Sequence, residues 1–187
     1  MDRIDYFYFI VDTSASMSGR KIGAVNDAIN NIVHRLKRFV ASKEIQFKII
    51  LLSFDDKPKW SNIIPIEINS FSFMDLSAGG EASNLGKALE ALADKLERQG
   101  ETDVNKGSST TIIFFSDGLI TDEINNPLNR LNSMSVYCNA NRIAVAFDDE
   151  ISKDFAEDYF GLIVNKRENI VIDDFVKLNK MLFEKYR

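Results

Sequence analysis

Apolar residues fall along this chain in two alternating rhythms. Residues 4–11, 48–54, 111–115 and 142–147 are short, nearly unbroken runs of aliphatic and aromatic side chains. Runs of that length without polar alternation predict strands buried on both faces, as in the middle of a parallel sheet. Between them the spacing changes. Ala24, Ala28, Ile29, Ile32, Val33, Leu36, Phe39 and Val40 give one apolar stripe over 21–42, which predicts an amphipathic helix. Leu85, Leu89, Leu92 and Leu96 predict a second helix over 85–98. Alternating Ile64, Ile66 and Ile68 within 60–68 predict an edge strand after the Asp55-Asp56-Lys57-Pro58 turn. The polar, glycine-containing stretch 100–109 reads as an exposed loop. Short helices follow near 126–132 and 152–159, a last strand at 169–172, and a closing helix over 173–186 with Asp173 as its cap.

Strands alternating with helices predict an α/β fold: a doubly wound, mostly parallel six-stranded sheet with one antiparallel edge strand. Right-handed crossovers then place helices on both faces. The chain has 187 residues and shows no internal repeat, low-complexity tract or linker, so 1–187 is expected to form one domain.

Composition narrows the function. Hydrophobic residues make up 45% and charged residues 27%, with a net charge of −5. A mildly acidic chain lacks the clustered positive charge that nucleic-acid phosphates demand. No apolar stretch approaches the roughly 20 residues that span a bilayer, so no membrane role is expected. The N-terminal residues lack a basic region and an apolar signal core. The single Cys138 fits a reducing compartment, and the cytoplasm is the expected location.

The chemistry gathers at the end of the first strand, where Asp12-Thr13-Ser14-Ala15-Ser16 follows the apolar run. One carboxylate and two hydroxyls presented by a single turn make an oxygen-rich site for a hard cation. A second acid, Asp117, ends the run Ile112-Ile113-Phe114-Phe115-Ser116. In a sheet ordered 3-2-1-4-5-6 both turns flank the crevice beyond the carboxyl ends of the strands, where open α/β sheets bind ligands.

Three pieces stand in a fixed order: Asp12-x-Ser14-x-Ser16, then Gly79-Gly80 ahead of Leu85-Gly86 and Ala88-Leu89, then Asp117-Gly118. Together they resemble the metal-ion-dependent adhesion site (MIDAS) of von Willebrand factor A domains. The resemblance implies a metal held by Asp12, Ser14, Ser16, Ser83 and Asp117. Ser83 stands for the threonine of the family's Gly-Gly-Thr loop, with Glu81 and Ala82 between it and the glycines; Thr102 and Ser77 are its competitors. Ser14, Ser16 and Ser83 would ligate directly, and Asp12 and Asp117 through water or one direct bond. Magnesium is the expected ion, with manganese and calcium as alternatives. An open coordination position would receive an Asp or Glu carboxylate from a protein partner, which implies a non-enzymatic interaction module. Within that family the chain resembles short bacterial members associated with tellurite resistance and stress response, through its early first strand, Asp12-Thr13-Ser14-x-Ser16-Met17 and Leu76-Ser77-Ala78-Gly79-Gly80.

Other readings compete. A magnesium-dependent phosphohydrolase or phosphotransferase also carries an Asp at the end of its first strand, but its second acid is replaced here by Ser14. A serine hydrolase would need a base, and the single His34 lies far along the first helix on its polar flank. Glu81 is either a solvated loop residue or an internal occupant of the open position. Asp122 reads as a helix cap, Cys138 as a partly buried thiol without chemistry, and Phe71, Phe73 and Met74 as cover for the core, with an apolar rim for a partner as the alternative.

Overall fold

The computed structural model describes residues 3–41, 45–102, 108–147 and 158–186. Strand β1 (Arg3–Asp12) leads through a short 3-10 turn (Ala15–Met17) into helix α1 (Arg20–Val40). Strands β2 (Ile45–Phe54), β3 (Pro58–Trp60) and β4 (Ile66–Glu67) precede helix α2 (Leu85–Thr102). Strand β5 (Ser109–Ser116), helices α3 (Asn125–Asn132) and α4 (Ser135–Asn139), strands β6 (Asn141–Ala146) and β7 (Ile170–Ile172), and helix α5 (Phe175–Phe183) complete the order.

These strands form one seven-stranded sheet in the order β3-β2-β1-β5-β6-β7, with β4 also paired to β2. β1 runs parallel to β2 and β5, and β6 runs parallel to β5 and β7. Only β3 and β4 are antiparallel, both against β2. The expected α/β, doubly wound architecture is therefore present.

The pleat of β1 divides the core. Phe7, Phe9 and Val11 pack with α1 and α5 through Ile29, Leu36, Leu178 and Leu182. Tyr6, Tyr8 and Ile10 pack with α2, α3 and α4 through Leu89, Leu92, Leu131 and Tyr137. Side chains of successive strand residues point to opposite faces, so an unbroken apolar run feeds two helical layers at once.

The structure differs from the sequence reading at four places. The expected edge strand over 60–68 is split because the Asn62 side chain takes over the ladder. Its Oδ1 accepts from the Leu51 amide at 3.1 Å and its Nδ2 donates to the Ile49 carbonyl at 2.8 Å. The second helix runs on to Thr102, into the stretch expected to be loop, and an additional short helix, α4, precedes β6. The closing helix is capped by Asp174, whose carboxylate accepts from the Lys177 amide at 2.9 Å, while Asp173 sits outside it at a φ of 43°. The helix expected over 152–159 lies almost entirely outside the described residues.

At the sheet's other end Asp5 is fully buried, and the Tyr186 hydroxyl donates to its Oδ2 at 2.5 Å. Burial, followed by the hydrogen bond to Asp5, pushes the Tyr186 phenol above its usual value.

Candidate metal centre

The parallel register sets the location. β1 and β2 end together at Asp12 and Phe54, and Val11 pairs with Phe115 of β5. The turns after β1 and β5 therefore leave the sheet side by side, at its carboxyl edge. A third loop reaches them through backbone contacts: Ala15 N donates to Gly80 O at 2.7 Å and Gly79 N to Thr13 O at 2.9 Å. Gly80 has to be glycine, because a Cβ there would lie 2.2 Å from Asp55 Cβ.

Asp12 is at the centre, with no exposed surface. Its Oδ1 accepts from the Ser14 amide at 2.9 Å. Its Oδ2 accepts from the hydroxyls of Ser83 and Ser116, each at 2.8 Å. Among the described residues no cation pairs with this carboxylate. A buried anion held only by neutral donors carries a desolvation penalty that a nearby cation would offset.

Ser14 occupies the cap position of the 3-10 turn but makes no side-chain capping bond; its hydroxyl lies 3.1 Å from Ser16 Oγ instead. Ser14 is buried and Ser16 exposed. Two hydroxyls turned towards one another beside a buried carboxylate are the kind of oxygen donors a hard cation uses.

Asp117 is also fully buried, and its environment differs. Its Oδ2 accepts from Lys21 Nζ at 2.9 Å and its Oδ1 from the Leu119 amide at 3.2 Å. Gly118 follows at a φ of 81°, a conformation glycine adopts without Cβ strain. An ammonium group thus already sits on one of the two acids. The donor set fits a divalent ion: two carboxylates, of which one bears a cation, and serine oxygens between them. Among the described residues no group of three or more His, Cys, Asp or Glu side chains that could hold a metal is found, so a centre here would have to rely largely on hydroxyls.

Hydrogen bonds tie Ser83 to Asp12 and Ser14 to Ser16, and Ser116 links Asp12 to the Asp117 turn. Among the described residues Ser77 is not a hydrogen-bond partner of Asp12, and the side chain of Thr102 lies outside the description. Glu81 is exposed on the loop. Sequence reasoning missed Ser116 and Lys21. The Ser-Asp-Gly triplet and a lysine two residues after Gly19 were visible, but nothing local ties either to Asp12 or Asp117.

The supporting loops hold one another. Asp122 caps the start of α2 rather than its own helix, accepting from the Gly86 and Lys87 amides at 2.8 and 3.0 Å. Asp56 Oδ1 accepts from the Ala82 amide at 2.9 Å. Ser83 N donates to Thr121 Oγ1 at 3.1 Å. Elsewhere, His34 is exposed as expected. Cys138 is exposed rather than partly buried, and Met74 is 81% exposed, whereas Phe71 and Phe73 do cover the core.

The sequence matches the family model described as the von Willebrand factor type A domain over residues 7–119. No curated protein matches it in sequence. Among solved structures, the chain is similar to the pilus adhesin SpaC of Lactobacillus rhamnosus GG in its open conformation (TM-score 0.71, 13% identity, 100% of this chain and 30% of that one). It is also similar to proximal thread matrix protein 1 of the mussel byssus with a zinc-occupied MIDAS motif (TM-score 0.64, 15% identity, 97% and 46%). A third likeness is to the ArnB paralog VWA2 of Sulfolobus acidocaldarius (TM-score 0.57, 17% identity, 98% and 45%). At these identities the likeness is one of fold, and the chain spans less than half the length of each of these proteins.

Proposed function

Because the chain belongs to the von Willebrand factor type A domain family, a common metal-dependent protein-interaction module, we propose that it binds a protein partner through a divalent cation. Asp12, Ser14, Ser16, Ser83 and Asp117 would hold that ion, with magnesium the best match to a set dominated by neutral hydroxyls. The observation that supports this reading most is the Asp12 carboxylate, buried and hydrogen-bonded by the Ser14 amide and two serine hydroxyls without a cationic partner among the described residues. When bound, the ion supplies a Lewis-acidic position that an external Asp or Glu carboxylate completes. The residues around it orient and neutralise; none is placed as a general base, so the proposed role is binding rather than catalysis.

The proposed setting is a single domain over 1–187 working in the cytoplasm. The lone, exposed Cys138 suits a reducing compartment, and among the described residues no helix is long and apolar enough to cross a membrane. As part of this proposal the partner belongs to a bacterial stress response, a reading supported by the resemblance to the short tellurite-resistance members.

The test is selection of a displayed random-peptide library on the immobilised protein in magnesium. The expected outcome is enrichment of peptides bearing an essential Asp or Glu, released by chelator and not captured by Asp12→Ala. Peptides that stay bound in chelator, or that lack acidic residues, would refute the carboxylate bridge.

A further inference from the structure

Lys21 stands where a lysine is locally unfavourable. It is the second residue of α1, and the first turn of that helix holds Arg20 and Lys21 with no acidic residue. Helix N-termini carry partial positive charge and favour anions. Each of these cations is directed to a carboxylate elsewhere: Arg20 to Asp173 at 3.3 Å and Lys21 to Asp117 at 2.9 Å. The second pair is the more enclosed, with the Asp117 side chain fully buried and that of Lys21 24% exposed. Lys21 therefore brings a full positive charge to one of the two acids of the candidate metal centre. Its flexible stem starts at the helix surface and reaches inward.

We propose that Lys21 is a tethered counter-cation that a divalent ion must displace from Asp117, so that loading the centre exchanges one cation for another. The inference rests on the metal-binding reading above and adds its regulation. With the ion absent, the ammonium neutralises Asp117 and keeps a buried carboxylate from standing uncompensated. With the ion present, the same carboxylate turns to the metal and the ammonium, repelled by two positive charges, moves outward into solvent. The exchange lowers affinity for the metal and makes occupancy responsive to its concentration. It also changes the face a partner meets, because a lysine head joins the rim only when the centre is loaded.

Two measurements test this. Calorimetric titration of manganese or magnesium into the wild type, Lys21→Met and Lys21→Arg should show binding about tenfold or more tighter in Lys21→Met, since removing the competing charge by even one ion pair's worth shifts affinity by that order. Lys21→Arg, which keeps the charge, should stay near the wild type. Because Lys21→Met leaves Asp117 unpaired and could lower stability, the second measurement uses the wild type. Labelling by an amine-reactive reagent, read by mass spectrometry at Lys21, should rise severalfold when magnesium is added. Equal metal affinity in wild type and Lys21→Met, with Lys21 labelling unchanged by magnesium, overturns the exchange and leaves the metal centre standing. No metal binding by either protein overturns the centre itself, and the exchange with it.

Discussion

The hydroxyl of Ser83 donates to Asp12 Oδ2 at 2.8 Å, joining two residues 71 positions apart in the chain. Ser116, at the end of the neighbouring strand β5, donates to the same oxygen. Together they make Asp12 the point at which three loops meet, and the bonds have measurable consequences for stability as well as for ligand binding.

Replacing Ser83 or Ser116 by Ala removes one charge-assisted donor from a carboxylate that solvent does not reach. Each substitution should lower stability by about 1.5–3 kcal/mol, the range for hydrogen bonds to charged groups. Ser83→Thr keeps the hydroxyl and should recover most of the loss. Urea denaturation with an unchanged m-value is the check; a loss below a few tenths of a kcal/mol for both alanine variants would mean the bonds contribute nothing net.

The adjacent glycines of the third loop should respond differently to the same change. A Cβ on Gly80 would overlap Asp55, whereas one on Gly79 meets nothing within 4 Å. Gly80→Ala should cost about 1–3 kcal/mol, as overpacking does, and weaken metal binding by shifting Ser83. Gly79→Ala should be close to neutral in thermal melts. Equal effects at the two positions would contradict the close approach described for Gly80.

How much of this was legible in the sequence depends on range. Strand β1 and helix α1 were readable because an unbroken apolar run and a helical stripe are local patterns, and the double winding follows from their alternation. The Asp-x-Ser-x-Ser turn was readable for the same reason. The pairing of Lys21 with Asp117 was not, since it spans 96 positions and depends on how α1 leaves the sheet. Asp122 read correctly as a cap but of the wrong helix, because the amides that donate to it belong to Gly86 and Lys87, 36 and 35 positions earlier in the chain. Asn62 was invisible as a ladder element: a side chain mimicking a strand backbone leaves no periodic trace.

Stability should fall in alkali, and Tyr186 should account for part of that fall. Its phenol, buried and bonded to Asp5, has a folded-state pKa raised above the usual 10.0. A group whose folded pKa is raised holds its proton longer in the native state than in the unfolded chain. Its contribution is therefore complete below about pH 10 and is lost as pH climbs from there towards the folded value. Tyr186→Phe should lower stability by about 1.5–3 kcal/mol at neutral pH, as loss of a bond to a carboxylate does, and should flatten the decline above pH 10. Melting curves between pH 7 and 11 for both proteins make the comparison. An equally steep alkaline decline in Tyr186→Phe would assign the effect to other groups.

The most direct measurement is a calorimetric titration of magnesium into the wild type and into Asp12→Asn, which keeps the shape of the side chain and removes its charge. The expected result is saturable one-site binding in the wild type, accompanied by a rise in melting temperature, and at least about hundredfold weaker binding in Asp12→Asn, or about 2.8 kcal/mol by the usual conversion of about 1.4 kcal/mol per factor of ten. A wild type that takes up no divalent ion, or an Asp12→Asn variant that binds it equally well, would contradict a metal centre at the end of β1.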